Sequence, residues 1–331
     1  MKKILLTGGF GYIGSYFVKK YHHSYDLHIL DTNYFEHSIN INLKQNRFLI
    51  KDIRDISKND LNDIEIIVHM GELSNDPLGD LNKNITNEIN HIATKNLLTL
   101  ADKTSVKKFI YMSSASVYGF SEVVMNEKSP LNPLTEYSKA KSMNESFIKS
   151  SDFSFETVIL RNATAFGFSE NLRLDLVVND LTYGALVNNE IKLLSDGTPK
   201  RPIVHIHDIC QIIDLIIRDK RNLDKEIFNI GSNEMNFSIR EIAEQVGQCL
   251  SLPKITYGKK DLDQRSYSLN FQKLNDYFPT YKVEYNLEAG ILDLIENLKN
   301  YKLKGSEKRV EMLKQLIDGN KINNKLYWVI K

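Results

Sequence analysis

The sequence predicts an α/β protein built on a doubly wound parallel sheet, followed by a smaller mixed α/β lobe. Three observations carry that expectation. A short apolar strand runs directly into a glycine loop and an amphipathic helix at the start of the chain. Strand and helix patterns then alternate to about residue 165. Beyond that point the alternation loosens, and the later strand and helix candidates are irregularly spaced.

Residues 2–7 form the first strand candidate, followed by Gly8-Gly9-Phe10-Gly11-Tyr12-Ile13-Gly14 and an amphipathic stretch to about Tyr21. Glycines let the backbone turn tightly and approach phosphates, and a helix N-terminus adds free N–H groups and the positive end of its dipole. The opening Met1-Lys2-Lys3 and the apolar residues after it resemble a signal peptide, but the glycines end that run too early, so it reads as a strand. A second strand over 26–30 ends at Asp31, at the spacing where an acid accepts hydrogen bonds from adenosine ribose hydroxyls. No Arg or Lys follows among Thr32, Asn33, Tyr34 and Phe35. An acid there repels a 2′-phosphate, so NAD is expected rather than NADP.

Residues 47–50 are a third strand candidate ending near Asp52-Ile53, and 64–70 a fourth. Residues 85–100 have helical periodicity, and 107–112 form a fifth strand leading into Ser113. Further strands are expected over 158–161 and 225–231, a helix over 237–250, and an arginine-containing loop over 261–268. Residues 307–318 place Val310, Leu313, Leu316 and Ile317 on one helical face, with Gly319 as the stop. That helix is expected to pack on the body or on a partner subunit. The domain reading is a cofactor-binding unit over 1–165, joined by a returning segment near 203–232, and a substrate-binding unit over most of 166–331 with a helical tail.

The segment 113–141 carries the chemistry. Ser113-Ser114-Ala115-Ser116-Val117-Tyr118-Gly119 follows the fifth strand, and after a loop with Pro130 and Pro133 a helix opens with Tyr137 and Lys141. Their four-residue spacing puts both side chains on one face. A phenol titrates near pH 10 when unperturbed. A neighbouring ammonium group and the positive ring of an oxidised nicotinamide both favour the phenolate. Tyr137 then takes a proton from an alcohol while a serine hydroxyl at the strand end holds the reacting oxygen and hydride leaves its carbon. Tyr-x-x-x-Lys alone is common; the glycine loop and Asp31 upstream give it meaning.

The composition excludes several other classes. With 43 basic and 42 acidic residues the net charge is +1, which provides no electrostatic case for nucleic acid or a membrane surface. No apolar run reaches the roughly 20 residues of a membrane span, since residues 206–217 are interrupted by His207, Asp208, Gln211 and Asp214. A soluble, cytoplasmic protein is expected. Cys210 and Cys249 have no metal-type spacing and read as small buried residues in a reducing compartment. His205 and His207 share a strand face only if the strand reaches that far, and no metal site is expected.

With the Gly8, Gly11 and Gly14 loop, Asp31, Asp52-Ile53, Ser114, Val117-Tyr118-Gly119 and the Tyr137/Lys141 pair in one order, the chain resembles the extended short-chain dehydrogenase/reductase family. More narrowly it is similar to the bacterial nucleotide-sugar epimerases, reductases and dehydrogenases, over the chain to about residue 300. The resemblance implies a Rossmann fold, bound NAD, a nucleotide-sugar substrate and a homodimer through helices near 88–102 and 136–150. It implies that Ser114 steers the substrate hydroxyl, that Tyr137 is the base, and that Lys141 binds the nicotinamide ribose and tunes that base. Tyr12, Ile13, Asp31, Asp52, Ile53, Gly71 and Asn90 fall at cofactor positions. Thr164 stands where the family has an asparagine near the nucleotide phosphates. Arg173, Asn179, Arg201 and Arg265 match places that hold the nucleotide and its diphosphate, and guanidinium forks suit that anion.

Two departures matter. Sugar 4,6-dehydratases of the family carry Asp-Glu directly after the catalytic Ser or Thr; here Ala115 and Ser116 stand there, which argues against water loss across C5 and C6. At His69-Met70-Gly71-Glu72 many relatives have His-Leu-Ala-Ala, and Glu72 has no assigned role. The resulting expectation is hydride abstraction at a sugar hydroxyl, at C4, by an epimerase of cell-surface polysaccharide synthesis. The alternatives are a net 4-dehydrogenase or 4-ketoreductase, a reductase of a non-nucleotide substrate, and a non-catalytic NAD-binding scaffold.

Overall fold

The computed structural model describes residues 1–35, 47–252, 254–259, 266–303 and 307–329. The first half of the chain contributes β1 (Lys3–Thr7), α1 (Tyr12–Tyr21), β2 (Asp26–Asp31), β3 (Phe48–Ile50), β4 (Ile66–His69), α2 (Asp76–Gly79), α3 (Lys83–Thr86), α4 (Ala93–Ala101), β5 (Lys108–Ser114), β6 (Val124–Met125) and α5 (Glu136–Ser150). There follow β7 (Glu156–Asn162), β8 (Thr164–Phe166), α6 (Val177–Asn188), β9 (Ile191–Lys192), β10 (Lys200–His205), α7 (Ile206–Arg218), β11 (Glu226–Ile230), β12 (Asn236–Ser238) and α8 (Ile239–Cys249). The last elements are β13 (Ile255–Thr256), β14 (Ser268–Leu269), α9 (Gln272–Tyr277), α10 (Leu287–Leu298) and α11 (Arg309–Asp318).

Seven strands form one parallel sheet in the order β11-β7-β5-β4-β1-β2-β3. This is the doubly wound α/β sheet expected from the sequence. Its central strands are nearly continuous apolar runs because both faces are covered. In β1, Ile4 and Leu6 enter one apolar layer with Phe17 of α1 and Ile213 of α7. Leu5 points the other way, into a layer with Leu97 of α4 and Ile148 of α5. The same period of two sorts Ile110 and Met112 of β5 from Phe109 and Tyr111.

A second lobe is built around Val178, Ile242, Val246 and Ile291 of α6, α8 and α10, beside the small sheet β12-β10-β8. The two lobes are interleaved: the chain leaves the large sheet after β7 and returns to its edge as β11, pairing Phe228 with Leu160. Helix α11 packs on the body, where Leu313 and Leu316 join the layer that holds Leu97.

Two local details go beyond the sequence reading. The helical stretch over 85–100 is met by α3, a π-helical turn at Asn87–Ile92, and α4 in succession. The wide turn carries Asn90, whose side chain accepts from Leu73 N at 2.8 Å and donates to Leu73 O at 3.0 Å. Such turns recur at functional sites because they redirect one side chain. His205 ends β10 and accepts from the backbone N–H of His207, which already belongs to α7, so the two do not share a strand face. Among the described residues no helix is long and apolar enough to cross a membrane, and no His/Cys/Asp/Glu group is arranged to hold a metal ion.

Candidate active site

The C-terminal ends of β1, β2, β4 and β5 open onto one cavity of about 590 Å³ that continues to the second lobe. This is where a doubly wound sheet places its ligands. Gly8, at φ +70°, allows the turn out of β1; a Cβ there would lie 2.7 Å from Met70 O. A Cβ on Gly14 would lie 2.6 Å from Gly8 O, so the first turn of α1 packs directly on the loop. Gly11 caps α1 without a side-chain hydrogen bond, and no acid sits in the first turn, which leaves the positive helix end facing the cavity.

Asp31 closes β2 with its carboxylate accepting from Phe10 N at 3.0 Å and Asn33 N at 2.8 Å. Burial pushes this carboxyl up, while those N–H groups pull it down. Asp52 accepts from Arg54 N, Nε and Nη2 at 2.8, 2.9 and 2.7 Å, which fixes the turn that presents Ile53 to the cavity. Gly71 donates to Thr7 Oγ1 at 3.1 Å and lines the opposite wall. A tight glycine cradle, an uncapped helix end and a partly buried acid at the second strand suit an adenine dinucleotide with a free ribose. The residues present therefore fit NAD.

Ser114, Tyr137 and Lys141 converge at the inner end of the cavity. Thr135 starts α5 through a capping box, accepting from Ser138 N at 3.2 Å while Ser138 Oγ accepts from Thr135 N at 3.0 Å. This places Tyr137 in the first turn. The Lys141 ammonium lies 5.6 Å from the Tyr137 ring centre, donates to Met112 O, and forms an ion pair with Glu72 at 2.9 Å. Burial raises the Tyr137 phenol above its ordinary value; Lys141 and the Ser114 hydrogen bond pull it down, and Glu72 pushes it up. The side chain is thus a neutral phenol at rest, where the sequence suggested that the lysine favours the phenolate. Lys141 does act in that direction, but burial outweighs it, and Glu72 adds to the burial by sharing the lysine's charge.

Glu72 was visible in the sequence as a departure without a function. In the structure its side chain is 2% exposed and Thr94 and Asn144 approach it at 3.4 and 3.5 Å. Beneath Ser114, a second buried network holds the strand end. Ser113 donates to Glu145, Glu145 pairs with Arg161 at 2.6 Å, and Arg161 donates to Tyr118 Oη at 2.8 Å.

Toward the second lobe the cavity is lined by Thr164, Arg173 and Arg201. Arg173 is paired bidentately with Asp175 at 2.9 and 3.0 Å, and Asp175 also accepts from Asn75 at 2.6 Å. Arg201 donates to Lys200 O at 2.8 Å. Of the predicted site residues, Gly8, Gly11, Tyr12, Ile13, Gly14, Asp31, Asp52, Ile53, Gly71, Ser114, Tyr137, Lys141, Thr164, Arg173 and Arg201 line this one cavity. Asn90 and Asn179 do not. Asn90 braces Leu73, and Asn179 accepts from Gly167 N at 3.0 Å and donates to Tyr12 Oη at 3.1 Å and Arg173 O at 3.0 Å. Both amides support the wall from behind. Arg265 lies outside the described residues. Among the described residues, Ser116 Oγ and Asn162 Oδ1 on the wall are buried with neither a hydrogen-bond nor an ion-pair partner.

Comparison with known proteins agrees with this geometry. The model of a family described as the NAD dependent epimerase/dehydratase family matches residues 4–231. A putative UDP-glucose 4-epimerase of Methanocaldococcus jannaschii is 27% identical over 306 residues, covering 90% of this chain and 98% of that protein. A dTDP-D-glucose 4,6-dehydratase of Bos taurus is 24% identical, covering 87% of this chain and 81% of its own length. The solved structure of MoeE5 in complex with UDP-glucuronic acid and NAD superposes with a TM-score of 0.77 at 22% identity, covering 90% of this chain and 99% of that one.

Proposed function

The chain belongs to the NAD dependent epimerase/dehydratase family, and from that premise we propose that it oxidises the C4 hydroxyl carbon of a nucleotide-linked sugar and returns the hydride to the other face, as an epimerase of cell-surface polysaccharide synthesis. The observation that supports this reading is the joining of Ser114, Tyr137 and Lys141 to the glycine loop and Asp31 in one cavity. The two unsatisfied polar atoms of Ser116 and Asn162 on that wall suit a polyhydroxylated substrate.

Bound NAD supplies the two-electron acceptor. Ser114 Oγ orients the sugar hydroxyl, and Tyr137 Oη takes its proton. Lys141 stabilises the phenolate that forms, and Glu72 fixes Lys141 in place. In the return step Tyr137 gives the proton back, a role suited to a phenol held neutral by burial. Arg201, Thr164 and Arg173 occupy the end of the cavity suited to the nucleotide diphosphate. Elimination of water is disfavoured in this reading. Ala115 has no acid to offer, and the acids nearest Tyr137 are engaged, Glu72 by Lys141 and Asp76 by Thr135. The second reading, net dehydrogenation or ketoreduction, uses the same residues and differs in whether the reduced cofactor leaves.

The same reading places the enzyme in the cytoplasm, where NAD and sugar nucleotides are made, as a homodimer through α4 and α5. Ile92 and Met143, 53% and 41% exposed on that side, are the apolar residues such an interface would cover. The deciding experiment is mass spectrometry of the small molecules released when freshly purified protein is denatured. Stoichiometric NAD with a nucleoside diphosphate or its sugar supports a cofactor recycled in place. Protein that emerges empty, binds added NAD reversibly and reduces it with a sugar nucleotide overturns the epimerase reading in favour of net oxidation.

A further inference from the structure

Arg309 opens α11 and is only 2% exposed, yet it lines the same cavity. Its guanidinium donates to Asn171 O at 2.9 Å and to Asn171 Oδ1 and Met312 Sδ at 3.3 Å, and it lies 4.3 Å over the centre of the Phe35 ring. Among the described residues no carboxylate stands within ion-pair distance of it. Burial and then the Arg173 charge push it down to about 10, with Asp175 and Glu307 acting in the opposite direction. Buried charges are ordinarily paired, because an isolated ion loses its hydration without compensation. Arg309 therefore marks a place where the cavity expects an anion.

Its neighbours identify which anion. Asn171, which holds Arg309, donates through Nδ2 to Phe10 O at 2.6 Å, so the guanidinium is tied to the glycine loop. Asp31, at the end of β2, lies within its field. Arg173, deeper toward the second lobe, already has Asp175. The rest of the C-terminal segment lies along the loop that flanks Asp31. Tyr34 donates its hydroxyl to Leu326 O, Trp328 Nε1 donates to Thr32 O at 2.7 Å, and Arg54 stacks 3.8 Å over the Tyr327 ring.

We propose that residues 307–329 form a built-in clasp for the cofactor, in which Arg309 donates to the diphosphate of NAD and the Leu326–Trp328 turn braces the adenosine side of the cavity. The clasp lies beyond residues 4–231, which the family model matches. It stands on the cofactor alone and does not depend on which sugar is turned over.

The test is calorimetric titration of wild type, Arg309→Gln and Arg309→Met with NAD, ADP-ribose and UDP. A charge-assisted contact of this kind corresponds to roughly 10- to 100-fold in affinity. NAD and ADP-ribose should weaken together by that factor while UDP stays within about twofold. Removing a buried, unpaired cation should leave the melting temperature unchanged or raised, so misfolding is not the expected outcome. Unchanged NAD affinity in both variants overturns the proposal. A selective loss of UDP affinity also overturns it, assigning Arg309 to the substrate diphosphate. Should neither variant fold, the single tryptophan of the chain, Trp328, decides on the wild type. NADH binding should draw excitation energy from Trp328, and unchanged emission at saturation refutes the clasp. None of these outcomes alters the Ser114–Tyr137–Lys141 chemistry, which Tyr137→Phe tests separately.

Discussion

Replacing Lys141 by Met, alone and together with Glu72→Gln, separates two roles that the structure gives one lysine. Its ammonium is 2.9 Å from Glu72, with side-chain exposures of 5% and 2%, and 5.6 Å from the Tyr137 ring centre. At an effective dielectric constant near 20, a unit charge at that separation acts on a forming phenolate with about 3 kcal/mol, roughly two orders of magnitude in rate. Lys141→Met also leaves the Glu72 carboxylate buried without its cation, which costs about 3–5 kcal/mol of stability. Adding Glu72→Gln removes that orphaned charge. The double variant should therefore recover most of the stability in urea unfolding. Its single-turnover reduction of bound NAD should stay slow, though by less than the roughly two orders of Lys141→Met, because Glu72→Gln also removes a smaller charge that opposes the phenolate. If rate and stability return together, Lys141 is a structural ion-pair partner, and the electrostatic account of Tyr137 activation fails.

The remaining expectations concern the base, its support and acid lability. Tyr137→Phe should lower turnover by roughly 10²- to 10⁴-fold with NAD affinity nearly intact; unchanged turnover in a steady-state assay removes Tyr137 from the mechanism. Glu145→Gln leaves Arg161 buried without the carboxylate 2.6 Å away and should cost about 3–5 kcal/mol of unfolding free energy in urea titration; a loss under about 1 kcal/mol shows that Tyr118 and solvent satisfy the guanidinium. Burial lowers His69 and His205 to about 3 from an ordinary 6.5. Their contribution to stability is complete above the unfolded value and is lost as pH falls below it, at about 1.4 kcal/mol per pH unit for each. The urea midpoint should fall steadily from pH 6.5 to 5.0, and a flat profile there contradicts the neutral, buried imidazoles.

The sequence was most readable where function depends on neighbours along the chain. The Gly8–Gly14 loop, Asp31 and the Tyr137/Lys141 pair each carry their meaning within a few residues, because a strand-to-helix turn and one helical turn fix their geometry. It was least readable where partners come from distant segments. Glu72 could be seen as unusual, but only folding brings it to Lys141. Arg309 sat in a helix read for its apolar face, and nothing local points to Asn171, 138 residues away. Asn90 and Asn179 stood at cofactor and nucleotide positions by resemblance. Buried backbone groups took their amides first, since an unmet N–H or C=O costs more than a ligand contact contributes.

The return of β11 to the edge of the large sheet also dictates an order of events during synthesis. Until Glu226–Ile230 has left the ribosome, β7 pairs only with β5, and the other edge of Glu156–Asn162 has no strand to meet it. A nascent chain halted in the second lobe thus carries an open, apolar sheet edge, the kind of surface that recruits other chains. Closure of that edge couples the two halves into one late, long-range step. Premature termination between residues 162 and 226 should accordingly yield aggregates rather than a free-standing half molecule.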